Sequence, residues 1–136
     1  MKRAFRILRD PSGATLIEFA FALPVLILFI WMLYQFALVF RANSGIQHSL
    51  GEGARMATLW PTPDYNDVKA KMQEAVYGIG PGDFDITTPQ EGEEDGATYL
   101  DLEVTYTQGT NMLLFPGPDI EITKTKRVWI AGSAGA

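Results

Sequence analysis

The chain has 136 residues, a net charge of −5 and no cysteine, which excludes a disulfide framework and thiolate chemistry. Residues 41–136 contain seven cations and fourteen acids, and this excess of acids argues against binding to the phosphate backbone of nucleic acid. The same residues suffice for one small domain and no more.

Residues 1–13 form a short basic segment with four cations, Lys2, Arg3, Arg6 and Arg9. The segment ends in Pro11-Ser12-Gly13, immediately before an apolar stretch. Because proline and glycine disfavour a continuous helix, we expect an extended, protease-accessible backbone at 11–13. A basic N-terminus that only sets the membrane orientation is the alternative, and both interpretations can hold together.

The run from Phe19 to Phe40 is 22 residues long and contains no charged residue. As an α-helix it extends about 33 Å, which matches a bilayer hydrocarbon core of about 30 Å. The run is longer than the apolar region of an ordinary secretory signal, so we predict a retained transmembrane helix over 14–40 in contact with the lipid bilayer. Cations before the run favour a cytoplasmic N-terminus, with residues 41–136 outside the cytoplasm.

Glu18 directly precedes the apolar run, and two interpretations of it remain open. As an acid in the first turn of the helix, Glu18 would lie at the headgroup level and interact favourably with the helix dipole. Alternatively, cleavage after Gly13 would create a new ammonium group on Ala14, four residues before Glu18. The carboxylate could then be neutralised by that amine in its own chain or in a neighbouring chain.

The helix is predicted to continue beyond the bilayer through residues 41–59, the alternative being a loop or a frayed helix. Small side chains recur there at every fourth position, namely Gly45, Ser49, Gly53 and Ala57. Residues four apart lie along one ridge of a helix, and a ridge of small side chains permits close approach of another helix or a sheet. Each helical glycine costs about 1 kcal/mol relative to alanine, so packing should compensate. We expect Arg55 to pair with Glu52 or with an acid on the sheet.

A second, shorter helix is predicted after the prolines at 61 and 63. Asp64 or Asn66 can cap its N-terminus, and the helix is expected to run to Tyr77. Gly78 then occupies the position at which a glycine commonly ends a helix.

The rest of the chain predicts strands. Alternating apolar residues predict one strand at 83–86 and the clearest one at 99–107. Residues 91–96 are interpreted as an acidic loop and 109–118 as a second loop, followed by a strand that starts at Ile120 and resumes at Val128. Lys124 and Lys126 share the apolar face of that strand, which a bulge or a strand extending past the core would explain.

No group of residues predicts a catalytic centre. With one histidine, His48, and no cysteine, the common Ser-His and Cys-His arrangements are excluded except around His48. Asp101 and Glu103 share one strand face, a pattern that fits the solvent side of an amphipathic strand better than a pair of catalytic acids. The acidic segment lacks the spacing of a calcium loop, and His48 has no second soft ligand. We therefore predict no enzyme activity, no metal and no cofactor.

The segment that begins at Gly13 resembles the class III signal of type IV pilin-like proteins. It is most similar to the TadE/TadF-like pseudopilins of tight-adherence (Flp) pili. The resemblance rests on a glycine, four further residues, Glu18-Phe19 and a long apolar run, and on the small-residue segment 49–57 with its Gly-Ala-Arg triplet. Major pilins of these pili usually have Glu-Tyr and a very short tail, whereas Phe19 and the long tail here favour a minor subunit.

The resemblance implies cleavage after Gly13 by a membrane-embedded aspartyl prepilin peptidase, and a role for Glu18 in processing or docking. It implies as partners this prepilin peptidase, the other pilins and pseudopilins of the pilus, and the inner-membrane assembly platform. We expect an α+β, pilin-like fold in which a long N-terminal transmembrane and periplasmic helix carries a short helix and a small antiparallel sheet. The expected domains are a leader at 1–13, a transmembrane helix at 14–40 and a periplasmic domain at 41–136.

The expected function is therefore structural, as a TadE-like minor pseudopilin held in the bacterial inner membrane. Gly13, Ala14, Glu18 and Phe19 are the expected processing residues, and the small-residue ridge with Arg55 is the expected helix-packing interface. One alternative is an uncut single-pass membrane protein with a periplasmic binding domain. Another is a secreted enzyme released near residues 43–45 by ordinary signal peptidase.

Overall fold

The computed structural model describes residues 11–61 and 63–130 of the chain. Residues 1–10, which make up most of the predicted leader, residue 62 and the tail 131–136 lie outside the described residues. Within the described ranges, two helices are followed by four strands, all of which pair antiparallel. The predicted α+β class, with a long N-terminal helix, a short helix and a small antiparallel sheet, is therefore confirmed.

Helix α1 (Pro11–Ala57) is 47 residues long and runs without interruption from the start of the apolar run into the following domain. The predicted continuation of the helix past residue 40 is thus confirmed. The extended backbone predicted at 11–13 is wrong, because Pro11 begins the helix and Gly13 lies in its first turn. Proline is well tolerated at the first helical position, where its missing N–H would have had no partner inside the helix.

Helix α2 (Tyr65–Val76) begins after a capping aspartate and is followed closely by a glycine. Of the two predicted caps, Asp64 is the one used, and its carboxylate accepts a hydrogen bond of 2.7 Å from the backbone N–H of Asn66. Gly78 follows the helix with a φ of +72°, a conformation that glycine adopts without the steric cost of a side chain. Val68, Met72 and Val76 form the buried face of α2.

The sheet is built around one long strand, β3 (Ala97–Asn111). Strands β1 (Asp83–Ile86) and β2 (Gln90–Glu94) pair with different parts of β3, at 104–107 and 97–101 respectively. Strand β4 (Pro116–Trp129) pairs with β3 from residue 99 to residue 111. The stretch of β3 that pairs with β4 overlaps the stretches that pair with β1 and with β2. A strand has only two edges, so β4 occupies one edge of β3 and β1 and β2 share the other.

The interpretation of 91–96 as an acidic loop is wrong. Residues 90–94 form strand β2, and only Asp95 and Gly96 turn the chain into β3, with φ values of +52° and +77°. Two successive residues with positive φ are the mark of a type I′ hairpin turn, for which Asp-Gly is a preferred pair. The acids of β2 are tolerated because β2 is a short strand at the edge of the sheet, exposed to solvent.

The second predicted loop is much shorter than expected, because β3 continues to Asn111 and β4 begins at Pro116. The pairing of β4 with β3 is unbroken from Ile120 to Trp129, so the bulge predicted at Lys124 and Lys126 is absent and that prediction is wrong. The register shifts instead near Gly109. Lys126 is exposed, as expected of a strand that extends past the core. Lysines on an edge strand also discourage pairing with other chains.

The core lies between one face of the sheet and the two helices. Four alternating residues of β3 are fully buried, and they are Leu100, Leu102, Val104 and Tyr106. From α1 the core receives Ala42, Ile46, Leu50 and Ala57. Complete burial of a large aliphatic side chain contributes about 1.5–3 kcal/mol, so this layer holds the second half of α1 firmly on the sheet.

Candidate functional site

The predicted processing residues Gly13, Ala14, Glu18 and Phe19 all lie on the N-terminal part of α1. Residues 14–30 are exposed throughout, and a Cβ atom added at Gly13 would meet no atom within 4 Å. The Gly13–Ala14 peptide bond lies inside the helix, close to its first residue. A side chain at position 13 would therefore meet open space, but a protease would have to unwind the first turn to reach the bond that follows it.

The structure places Glu18 deeper in the helix than one of the two predictions required. It is the eighth residue of α1, and the first turn contains no acid, so the interpretation of Glu18 as a first-turn acid is wrong for the uncut chain. Ala14 and Glu18 are four residues apart and lie on the same face, separated by about 6 Å along the helix axis. A new amine at Ala14 would therefore lie one turn from the carboxylate.

The apolar half of α1 receives almost no cover from the rest of the protein. No part of its most apolar stretch of 18 residues is buried. It is the one helix in the described part of the chain that is long and apolar enough to cross a membrane. Side chains such as Phe21 and Leu16 are 75% and 71% exposed. A surface of this kind fits a single-pass membrane segment, because it is unfavourable in water.

The small-residue ridge packs inside the chain. Gly53 lies so close to the neighbouring elements that an added Cβ would be 2.6 Å from the Cγ and Sδ atoms of Met72 and 3.2 Å from Leu102. At Gly45 the nearest atom is Cγ2 of Ile79, at 3.0 Å. Absent side chains on α1 thus allow α2 and the sheet to approach its backbone closely.

The two remaining ridge residues take the same part in packing. Ser49 is fully buried, and its hydroxyl donates a hydrogen bond of 3.0 Å to the backbone carbonyl of Met72. Ala57 is 1% exposed and belongs to the core. The ridge is therefore covered by the protein's own domain. Arg55 lies off the ridge on the solvent side and pairs with Glu52 at 3.1 Å, the first of its two predicted partners.

Polar contacts that sequence reasoning missed join the sheet to its surroundings. The buried hydroxyl of Tyr106 accepts a bond of 3.2 Å from the N–H of Gly82 and donates one of 2.6 Å to Gln108, and burial raises the pKa of Tyr106. The hydroxyl of Tyr65 donates to the Glu91 carboxylate, which raises the pKa of Tyr65 to about 12. No short motif indicates the contacts of Tyr106 with Gly82 and of Tyr65 with Glu91, because each joins distant parts of the chain.

The two acids considered as a catalytic pair have separate partners. Glu103 accepts a hydrogen bond from the Thr87 hydroxyl, and Asp101 pairs with Arg127. The guanidinium of Arg127 donates to Asp101 at 2.9 and 3.1 Å and also lies over the Tyr99 ring, 3.7 Å from its centroid. The hydrogen bond from Arg127 holds the pKa of Asp101 below its usual value. An ionised, paired carboxylate of this kind stabilises the sheet surface and is poorly suited to exchanging protons near neutral pH.

Comparison with known protein families finds a match over the N-terminal part of the chain. The family model described as TadE-like protein matches residues 13–55, under one third of the chain. No curated protein and no solved structure matches the chain. The matched segment begins at Gly13, includes the exposed apolar half of α1, and ends at Arg55 within the part that packs on the domain. From Gly13 to Arg55 this chain is therefore similar to the TadE-like protein family.

Proposed function

We propose that this protein is a TadE-like minor pseudopilin, a structural subunit used in the assembly of an adhesive tight-adherence pilus. In this proposal prepilin peptidase cuts the chain after Gly13 on the cytoplasmic side of the inner membrane. Helix α1 then anchors the protein as a single span, with the domain in the periplasm. Other pilins of the same pilus and its assembly platform are the partners, and the protein performs no catalysis.

One observation carries the proposal. The family match starts at Gly13, the residue at which the resemblance to class III signals places the cut, and it extends over the bare apolar half of α1. A helix with this exposed apolar surface needs either lipid or the helices of other subunits around it. Both environments belong to a pilin-like subunit, which leaves the membrane to enter or support a filament.

The division of α1 into two halves fits such a role. Its C-terminal half is held on the sheet by the ridge and by core residues such as Ile46 and Leu50. The domain is therefore packed directly on the helix that anchors it, so a docking contact on the apolar half lies on the same helix as the domain. A packed connection of this kind is useful in a subunit that must be placed by its helix.

An uncut single-pass membrane protein with a periplasmic binding domain is the second candidate. The observation that favours it is the helical state of the Gly13–Ala14 bond, since proteases bind extended chain. Unwinding the first turn is cheap, however, because its N–H groups have no intrahelical partners and Gly13 is a poor helix former.

The test is the N-terminus of the protein purified from the membranes of its own cells, measured by intact mass and terminal sequencing. We expect a chain that begins at Ala14. A chain that begins at Met1 would favour the uncut membrane protein, and a chain that begins past Phe40 would show a released periplasmic domain. Either of these two results would contradict the proposal.

Replacing Glu18 with alanine should impair pilus assembly several-fold while the protein still inserts in the membrane. The carboxylate is then missing from the position one turn after the new amine of Ala14. Sheared pili and the membrane-bound protein are measured in parallel. Glu52→Ala, which removes an acid from the exposed pair with Arg55 outside the apolar run, is the matched control and should assemble normally. Normal piliation by Glu18→Ala would show that the docking role is wrong.

A further inference from the structure

The turn between β3 and β4 exposes four consecutive apolar side chains, residues 112–115, which we call the hairpin tip. Met112, Leu113, Leu114 and Phe115 are 38%, 45%, 78% and 62% exposed. Around the tip, residues 104–118 contain no Asp, Glu, Lys or Arg. A cluster of exposed apolar side chains of this kind is unfavourable in water and marks a contact with something apolar.

The hairpin tip lies beside the apolar half of α1. The backbone carbonyl of Asn111 accepts hydrogen bonds from Nε1 of Trp31 at 2.6 Å and from Nε2 of Gln35 at 2.9 Å. Trp31 precedes Arg41, the first charge after the apolar run, by ten residues, which is about 15 Å along the helix. The hairpin therefore reaches back from the domain to a level well inside the apolar run.

Three backbone N–H groups of the tip, those of residues 112–114, have hydrogen-bond partners within the turn, which lowers the cost of removing them from water. The N–H of Met112 donates to the carbonyl of Phe115 at 2.9 Å, and the N–H of Leu114 donates to the carbonyl of Met112 at 2.8 Å. The N–H of Leu113 donates to the side chain of Asn111 at 2.9 Å. Together with the two bonds to the Asn111 carbonyl, these contacts reduce the cost of placing the turn in hydrocarbon.

The hydrogen bond to the Asn111 carbonyl also explains why a strongly polar residue, Gln35, is tolerated in the apolar run. The amide of Gln35 would be unfavourable in lipid without a partner, and the hairpin provides one. Between helix and hairpin lies an apolar groove of about 450 Å³, lined among others by Leu28, Met32, Phe36, Leu114 and Phe115. Its walls suit an acyl chain, which needs no hydrogen-bonding partners.

We propose that the hairpin tip is embedded in the non-cytoplasmic leaflet of the bilayer, where lipid acyl chains cover it. The proposal rests on the membrane span of the proposed function. It gives the domain a second point of attachment beside α1, which sets the tilt and height of the domain over the membrane. The tip would have to leave the lipid, together with α1, for the subunit to enter a filament.

Because the chain contains no cysteine, single cysteines can report the surroundings of chosen positions directly. Leu114→Cys, carrying an environment-sensitive fluorophore, is placed in nanodiscs with one chain per disc and lipids spin-labelled on the acyl chain. Leu33→Cys, within one turn of Trp31, is the control for the span, and Gln73→Cys on the exposed face of α2 is the control for water. We expect quenching at position 114 within about twofold of that at position 33, and little quenching at position 73.

Each other outcome has a definite meaning. A water-exposed label at 114 together with a lipid-exposed label at 33 would overturn the proposal and leave the span intact. Water exposure at both positions would overturn the span and the proposed function with it. Protection at 114 that occurs only with two chains per disc would assign the tip to a second copy and overturn the lipid contact. Trp31→Phe combined with Gln35→Leu should lower the quenching at 114, because the Asn111 carbonyl then lacks both donors.

Discussion

Replacing Gly53 with leucine is expected to destabilise the domain by about 3 kcal/mol, the upper end of the usual cost of overpacking. The position has no room for even a Cβ atom, which would lie 2.6 Å from Met72 and 3.2 Å from Leu102. Met72 and Leu102 are fully buried, so neither can move outward without opening the core. For a domain of this size the melting temperature should fall by roughly 10 °C or more. Near-ultraviolet circular dichroism in detergent or nanodiscs measures the transition.

Gly51→Leu is the matched control for this variant. Gly51 is in the same helix, two residues away, and an added Cβ there meets nothing within 4 Å. Its replacement should raise stability slightly, because leucine is the better helix former. Met72→Ala should relieve part of the clash, so that Gly53→Leu combined with Met72→Ala costs less than the sum of the single changes. Equal melting temperatures for the leucine variants at 51 and 53 would contradict the packing assigned to the ridge.

Replacing Gly13 with leucine is expected to leave the chain uncut, the largest functional effect predicted from the proposed processing. A side chain at 13 meets open space in the folded protein, so the substitution should not disturb the domain. It acts on the protease step, because a bulky residue must enter the peptidase site next to the scissile bond. Leucine also strengthens the first turn by up to about 1 kcal/mol relative to glycine and makes unwinding harder. Intact mass of the membrane protein shows whether the first 13 residues remain.

Two further variants separate the causes of such a block. Alanine at position 13 strengthens the helix at least as much as leucine does, but its side chain is small. If Gly13→Ala is cut and Gly13→Leu is not, the block is caused by the size of the side chain. Gly51→Leu introduces the same side chain far from the cut and should be processed normally. Cleavage of Gly13→Leu at the same bond as the unaltered chain would show that Gly13 does not define the cut.

Much of the fold was predictable because local patterns and tertiary packing agree. The uncharged run from Phe19 to Phe40 predicts a long helix by its length alone, and the alternation at 99–107 predicts the central strand. The two candidate caps, Asp64 and Asn66, and the glycine at 78 predicted the ends of α2 within about two residues. In each case the physical cause acts over a few neighbouring residues, so the sequence contains all of it.

The errors came where a strong local signal was outweighed by position in the fold. Acidic residues at 91–94 suggested a loop, but an edge strand tolerates them, and the turn pair Asp95-Gly96 was the signal that could have identified the hairpin. The second loop was predicted at 109–118, but β4 already begins at Pro116. Proline is permitted on an edge strand, where its missing N–H leaves no pairing unmet, and β4 lies at the edge.

The sequence by itself determined which residues share a face, how long the apolar helix is, and where the resemblance to pilin-like signals begins. Only the tertiary structure decided what covers those faces. A ridge of small residues suits another subunit as well as the protein's own sheet, and the placement of Met72 and Leu102 against Gly53 assigns it to the sheet. Likewise, no local pattern places residues 112–115 beside Trp31. Contacts between residues 80 positions apart depend on how the whole chain closes around its core, which periodicity cannot encode.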